Sequence, residues 1–250
     1  IKKSGNVTMK LITLNIWGGH VRDPLHQFII SHHNIDIFCF QEVYHNAEKM
    51  ITIEDRTVSL NIFSELQELL PDHIGYFRAA VDGIYGIGMF IKKEIDVIDE
   101  GDYIIHNNPE YLGLGPSHSR ILQWAKCNMN GNSYTIMNVH GLWNGMGKTD
   151  TPERIAQSQK IRLFMDNVNN RKILCGDFNL KPGTESLKII AKDMHNLIEQ
   201  YNIVSTRTSY YPKEEKFADY IFTSPDIKVN EFSVLMNEVS DHAPLFVDLV

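Results

Sequence analysis

Cysteine is scarce in this sequence: Cys39, Cys127 and Cys175 are the only three, and each sits inside an apolar run ("IFCFQ", "WAKCN", "ILCGD"). No pair has the spacing of a zinc knuckle or a redox motif, so the three read as buried thiols in a reducing compartment, with the cytoplasm the expected location. Long apolar stretches are missing too. Nothing approaches the roughly 20 apolar residues that a bilayer-spanning helix needs, which excludes such a span. The opening residues lack the apolar core of an export signal, and Met9 could be a natural start behind a leader of residues 1–8. Positive charge is in deficit, 24 Lys and Arg against 31 Asp and Glu for a net charge of −7. Bulk electrostatics therefore does not favour long nucleic acid, although a bound divalent cation reverses such a balance locally. Repeats, low-complexity tracts and Pro/Gly/Ser-rich linkers are also lacking, so residues 1–250 read as one domain, expected to be monomeric.

What the sequence does have is a succession of short apolar runs rich in Ile, Val, Phe and Tyr: "MKLITLNIW", "IDIFCFQEV", "GIGMFIKK", "ILQWAKCN", "YTIMNVHG", "KILCGDF", "FADYIFTS" and "PLFVDLV". These read as strands. Between them lie helical patterns. "DPLHQFIISHH" has Asp23 as a candidate N-cap and Pro24 at the first helical position, and "TPERIAQSQKIRLFMDNV" repeats the arrangement with Thr151 and Pro152. "TESLKIIAKDMHNLIEQY" places Leu187, Ile190, Ala191, Met194 and Ile198 at helical spacing. Each helix has one apolar stripe and so should cover a sheet from outside. Strands outnumber helices and several follow one another directly, unlike a doubly wound parallel sheet. The expected architecture is an α/β four-layer sandwich, two packed mixed sheets flanked by helices.

Several strand ends carry polar groups. In "ILCGDFNL", Asp177 and Asn179 would project together from extended chain while Phe178 turns into the core, and Gly176 would let another group approach the backbone. The same four residues are also ordinary turn formers. "LITLNIWGG" ends with Asn15, "FCFQEVYH" with Gln41 and Glu42, and "YTIMNVHGLW" with Asn138 and His140. "FADYIF" holds Asp219 in apolar surroundings, where a histidine is a natural partner. "EVSDHAPLF" offers Asp241 beside His242; neighbouring side chains diverge, which suits a carboxylate on a metal and an imidazole on a phosphate. If these ends converge they form a cup of carboxylates, amides and imidazoles. With Glu42, Asn15 and Asp241 as oxygen donors, the cup favours Mg2+, with Mn2+ also possible.

"LNIWGG", "QEV", "NVHG", "GDFN", "ADYIF" and "SDHAPL", in this order over residues 11 to 245, resemble the endonuclease/exonuclease/phosphatase superfamily, whose fold is DNase I-like. The resemblance implies a divalent-metal-dependent hydrolase. By it, Glu42 is the principal magnesium ligand, with Asn15 and Asp241 contributing directly or through water. Asp219 is implied to orient His242, Asp177 to position or deprotonate the attacking water, and Asn179 to donate to phosphoryl oxygens. His140 looks like the second histidine of the DNase I and sphingomyelinase branches. "NVHGLW" lacks the pattern of abasic-site endonucleases, and "ADYIF" lacks the Cys-Asp-Arg signature of inositol polyphosphate 5-phosphatases.

Around the cup, Arg120 is either a phosphate contact or a surface residue opening a strand. Trp17, Trp143, Tyr111 and Leu112 either supply aromatic and apolar surface beside the site or simply pack. The reading that results is a phosphodiester hydrolase, a nuclease or an enzyme acting on a nucleic-acid adduct. The alternatives are a phosphomonoesterase, a sphingomyelinase-like lipid phosphodiesterase, and an inactive member that binds phosphorylated ligands.

Overall fold

The computed structural model describes residues 8–51, 57–111, 113–115 and 117–250. One sheet contains β1 (Met9–Asn15), β2 (Ile37–Tyr44), β3 (His73–Val81), β4 (Tyr85–Lys92), β11 (Val229–Val234) and β12 (Leu245–Leu249). The other contains β5 (Asp96–His106), β6 (Arg120–Met129), β7 (Asn132–His140), β8 (Arg171–Asp177), β9 (His195–Asn196) and β10 (Asp219–Thr223). Their orders are β11-β12-β1-β2-β4-β3 and β5-β6-β7-β8-β10-β9. The helices are α1 (Arg22–Ser31), α2 (Ile62–Leu69), α3 (Pro152–Asp166), α4 (Glu185–Ala191) and α5 (Leu197–Gln200). No helix among the described residues is long and apolar enough to cross a membrane.

Each sheet has one parallel pair at its centre, β1 with β2 and β7 with β8, and every other pairing is antiparallel. A parallel pair needs a crossover, and α1 and α3 supply the two. On the outer face of the first sheet, Ile12, Leu14, Phe38, Phe40 and Phe90 pack with Leu25, Phe28 and Ile29 of α1 and Ile62, Phe63 and Leu66 of α2. The larger core joins Leu11, Ile37 and Cys39 to Ile136, Ile173 and Cys175 of the second sheet, and takes in α3 through Ile161 and Met165 and α4 through Leu187 and Ile190. The expected helix, sheet, sheet, helix arrangement is what the chain adopts. All three thiols are buried and free.

The inward positions of the four central strands follow a period of two and change in character along their length. Leu11 pairs with Ile37 and Ile136 with Ile173; next come Thr13 with Cys39 and Asn138 with Cys175; last come Asn15 with Gln41 and His140 with Asp177. The space between the sheets is therefore apolar at one end and polar at the other. Gln41 Nε2 donates across it to Asn138 Oδ1 at 2.7 Å, and Asn138 Nδ2 donates to the Phe40 carbonyl at 3.1 Å.

Two local expectations differ and one holds. Asp23 lies in the first turn of α1, one residue inside its start, so Val21 is the N-cap and has no side-chain cap. Thr151 does cap α3, accepting from the Arg154 amide, with Pro152 at the first helical position. The helix expected through Ile198 breaks after Ala191: Asp193 takes a positive φ of 56° and the chain forms the two-residue β9 before α5. Asn196, between the last two residues of the apolar stripe, Met194 and Ile198, caps α5 by accepting from the Ile198 amide at 3.2 Å. A residue able to cap competes with helix continuation, and here the cap wins.

Gly176 takes a φ of +133°, and a Cβ there would lie 2.0 Å from the Val139 carbonyl oxygen of the neighbouring strand. Gly183 has a φ of +84° with nothing within 4 Å. Gly176→Ala should therefore cost at least about 3 kcal/mol from strain and overpacking together. Gly183→Ala should cost only about 1 kcal/mol. Thermal melts of both variants beside the wild type check this, and equal melting temperatures would show that the close approach does not matter.

Candidate active site

Topology decides where polar side chains collect. Both parallel pairs deliver their C-terminal ends to the same edge of the sandwich, where Asn15, Gln41, Glu42, His140 and Asp177 emerge. The antiparallel neighbours contribute from their starts instead. Asp219 opens β10, and Asp241 and His242 lie just ahead of β12. The idea that every polar strand end is a terminus thus holds for three strands, with β2 carrying its pair near the end and two strands running the other way.

Glu42 sits in a β-bulge where β2 slips against β4 between Gln41 and Val43, and its φ is +58°. The bulge breaks the alternation of side chains, so consecutive residues Gln41 and Glu42 both serve the site. Asn179 is also left-handed, with φ 53°, and its amide donates to Asp177 Oδ1 at 2.8 Å. The "GDFN" stretch is therefore a turn closed by its own carboxylate and, at the same time, part of the site. Phe178 is fully buried in the core.

One amide joins the two sheets at this edge. Asn15 Nδ2 donates to Glu42 Oε1 at 2.9 Å and to Asp177 Oδ2 at 3.0 Å, while Asn15 Oδ1 accepts from the Trp17 amide at 3.0 Å. The Asn15 carbonyl in turn accepts from Ser240 Oγ at 2.7 Å, which ties the segment before His242 to β1. His242 Nδ1 lies 2.8 and 2.9 Å from the two Asp219 oxygens, and Thr206 Oγ1 donates to Asp219 Oδ2 at 2.9 Å. His242 Nε2 lies 3.6 Å from Asp177 Oδ2 and 3.9 Å from Asp241 Oδ1. His140 Nε2 lies 3.8 Å from both Glu42 Oε1 and Asp177 Oδ2.

Above these groups opens a cavity of about 410 Å3. His140, Asp177, Asn179, His242, Glu42, Asp241, Arg120, Trp17 and Trp143 all line it. Asn15 and Asp219 lie beneath, each bonded to lining residues. Tyr111 is not part of the wall; Leu114 and Gly115 of the same loop are, and Leu112 lies outside the described residues. Arg120 is 3% exposed and faces the cavity, so the surface reading of it is wrong. The wall also includes Lys148, Arg207, Tyr211 and Lys213, which went unnoticed in the sequence. Lys148 lies in "WNGMGKTD", the loop leaving the end of β7 into the crossover. Loops after parallel strands are where ligands bind, and that position was its only available signal.

Charge is sharply divided within this space. Burial raises the pKa of Glu42, helped by the nearby Asp241 and Asp177, against the hydrogen bond from Asn15 and the charge of His242. Burial also opposes ionisation of Asp177, but His242, Lys148, His140 and Arg207 outweigh it and hold that carboxyl well below the usual range. For His242 the penalty of burial is overcome by Asp219, Asp177 and Asp241, and its pKa is raised. Burial and the Arg120 charge push His140 well down, so it stays neutral. His118, beside it, is lowered to about 3 by burial and Arg120.

These donors fit a hard divalent cation. A carboxylate whose charge is made costly by burial and by like charges, still 28% exposed toward the cavity, is a ready oxygen ligand, and Asp241 offers a second at 17% exposure. Asp177, Asp219 and His242 also present ligand atoms within 4.8 Å of one another and could hold a metal ion. His242 Nδ1 is already engaged by Asp219, however, which leaves the Glu42 side with fewer competing bonds.

The fold is that of the DNase I-like hydrolases. The Endonuclease/Exonuclease/phosphatase family model matches residues 12–242, and the chain belongs to that family. Among solved structures, an endonuclease/exonuclease/phosphatase family protein from Bacteroides thetaiotaomicron is similar at 20% identity, with a TM-score of 0.74 and 97% of each chain covered. A mannosyl-6-phosphatase from the same species is similar at 19% identity and a TM-score of 0.73, covering 97% of this chain and 99% of that one. A humanised TDP2 from D. rerio gives 13% identity and a TM-score of 0.72, again over 97% and 99%. Comparison with curated protein sequences gives no match.

The His242 and Asp177 shifts set a stability window for the metal-free protein. A raised histidine stabilises fully below the ordinary pKa of about 6.5 and loses that contribution as pH climbs through its folded value. The depressed Asp177 stabilises above its unfolded value of about 3.9 and loses that as pH falls. In EDTA the melting temperature should therefore be greatest between these limits, and His242→Gln should flatten the alkaline side and, by removing a charge that holds Asp177 down, weaken the acid side as well. An unchanged alkaline limb in the variant would disprove the pairing.

Proposed function

We propose that this chain is a divalent-metal-dependent hydrolase of phosphate esters in which water attacks phosphorus within the cavity. The observation that carries the reading is the bridging of Glu42 and Asp177 by one Asn15 amide, with His242 Nε2 3.6 Å from the same Asp177 oxygen. That brings a cation ligand, a carboxylate for the water and an imidazole within reach of a single phosphoryl group.

A cation held by Glu42 and Asp241 would supply charge stabilisation at a phosphoryl oxygen, and a carboxylate pair favours magnesium, with manganese second. Asn15, expected as a third ligand, instead turns its Nδ2 to Glu42 while its Oδ1 accepts from the Trp17 amide, and so positions that carboxylate. The remaining roles belong to the chain. Asp177, ionised and turned toward the cavity, accepts a hydrogen bond from the attacking water and aims its lone pair. Its low pKa makes it an orienting group first and a proton acceptor only as the water becomes acidic on bonding to phosphorus. His242, held with Nδ1 toward Asp219, directs Nε2–H at a phosphoryl oxygen, a donor placed where charge builds up. Asn179 has one amide hydrogen on the Gly141 carbonyl at 3.2 Å and the other free for the same phosphate. Neutral His140 donates without competing for the cation.

Two kinds of substrate suit this machinery. A phosphodiester of nucleic acid, or of a nucleic-acid adduct, is supported by the aromatic flanks Trp17, Tyr44, Trp143 and Tyr211, on which a base could stack. A small phosphomonoester is supported by the size of the cavity, about 410 Å3, and by its cationic lining of Arg120, Lys148 and Arg207. The three buried thiols favour action in a reducing compartment, the cytoplasm.

Hydrolysis of p-nitrophenyl phosphate or bis-p-nitrophenyl phosphate should require magnesium or manganese and stop in EDTA. Asp177→Ala and His242→Ala should each lower kcat/KM by about 10²- to 10⁴-fold with native circular dichroism. Full activity in either variant would reject these roles, and wild-type protein inert toward both esters with both metals would favour a phosphate-binding member without catalysis.

A further inference from the structure

Lys148 is 1% exposed, and its Nζ has no hydrogen-bond partner among the described residues. An unsatisfied ammonium in such a place is costly to the fold unless something else uses it. Its position is nonetheless firmly set. Gly145 and Gly147 carry positive φ values of 77° and 67° and shape the loop, while the Lys148 carbonyl accepts from the Lys181 amide at 2.9 Å. Nζ lies 5.6 Å from the centre of the Tyr211 ring, on which the Arg207 guanidinium also rests at 3.9 Å. Arg207 spends Nη1 on Asp241 Oδ2 at 3.1 Å, but its buried Nε lacks a partner as well. Both residues line the active cavity beside Asp177.

Two buried donor atoms without acceptors, Lys148 Nζ and Arg207 Nε, on side chains held beside one aromatic ring in the wall of the same cavity, ask for an anion with oxygens to spare. A diester offers two terminal oxygens and one negative charge, and the cation, His242 and Asn179 can account for these. A monoester has a third terminal oxygen and carries about −1.5 to −2 near neutral pH. We propose that Lys148, supported by Arg207, receives this third oxygen and so selects a terminal phosphoryl group, making the preferred substrate a small phosphate monoester. The inference rests on the phosphate-ester reading above and narrows it. The Asp177 charge favours the ammonium form of Lys148 while burial and Arg207 oppose it, and an arriving dianion tips that balance toward the charged form.

The test compares the wild type with K148M, of similar length without charge, and with K148Q, which keeps a polar tip. Activity on p-nitrophenyl phosphate and bis-p-nitrophenyl phosphate, and calorimetric binding of inorganic phosphate, are measured with magnesium and with manganese. The wild type should prefer the monoester. In both variants the monoester-to-diester ratio of kcat/KM should fall at least tenfold, and phosphate should bind at least tenfold more weakly. Without phosphate, K148M should melt no lower than the wild type, because removing an unpaired buried charge does not harm the fold. An unchanged ratio, or equal losses on both esters, overturns the inference and leaves the hydrolase reading standing. If the wild type cleaves neither ester, the hydrolase reading falls instead. Phosphate binding then decides alone, and undiminished affinity in K148M and K148Q rejects the role of Lys148.

Discussion

The structure depends on two sheets pressed face to face whose shared interior changes from apolar to polar along four central strands. Leu11, Ile37, Ile136 and Ile173 fill one end, where burial of aliphatic surface holds the layers together. At the other end Asn15, Gln41, Asn138, His140 and Asp177 are buried by the same packing, and polar groups removed from water must find partners. They find them mostly across the gap: Gln41 with Asn138, Asn15 with Asp177. The contacts that satisfy the fold are thus the ones that orient the groups proposed to meet the substrate. Position in the site is not added to the sandwich afterwards but results from how its core ends.

This also explains a molecule that is acidic overall with a cavity suited to anions. Lys148 and Arg120 are buried in the cavity wall and the Arg207 side chain is 5% exposed beside them, where low polarity and exclusion of water make each charge count for more than any surface lysine. The acidic residues are divided in kind. Glu42 and Asp241 face the cavity, whereas Asp219 is buried behind His242 and serves the imidazole. Net charge says little here, because it counts solvated groups that the cavity does not feel.

The fold was legible because its signals are local: short β-branched runs, Thr151 and Pro152 opening α3, and a period of two in the strands. The polar strand ends were legible for the same reason, since an Asn or Asp closing an apolar run stands out against its neighbours. What stayed hidden depends on the third dimension. Arg120 stayed open between a phosphate contact and a surface residue because only the packing around it, with Tyr85 and His118 in the same cavity wall, buries it. Lys148, Arg207 and Tyr211 sit in loops whose sequences carry no period, and they meet only when the β7 crossover is brought against the segment before β10. The break after Ala191 was missed because its helical stripe is genuine on both sides, and the competing cap at Asn196 shows only once the chain has turned.

The pairing of β12 with β1, with Met9 opposite Leu249, has a bearing on when the molecule becomes competent. His242 reaches the Asn15 edge only because the segment after it docks beside the first strand, and contacts so distant along the chain are the slowest to form. A ribosome-bound precursor from which β12 has not yet emerged would leave β1 with an open flank and Asp177 and Asp219 without His242. Assembly of the cavity is thus tied by topology to the docking of β12 beside β1.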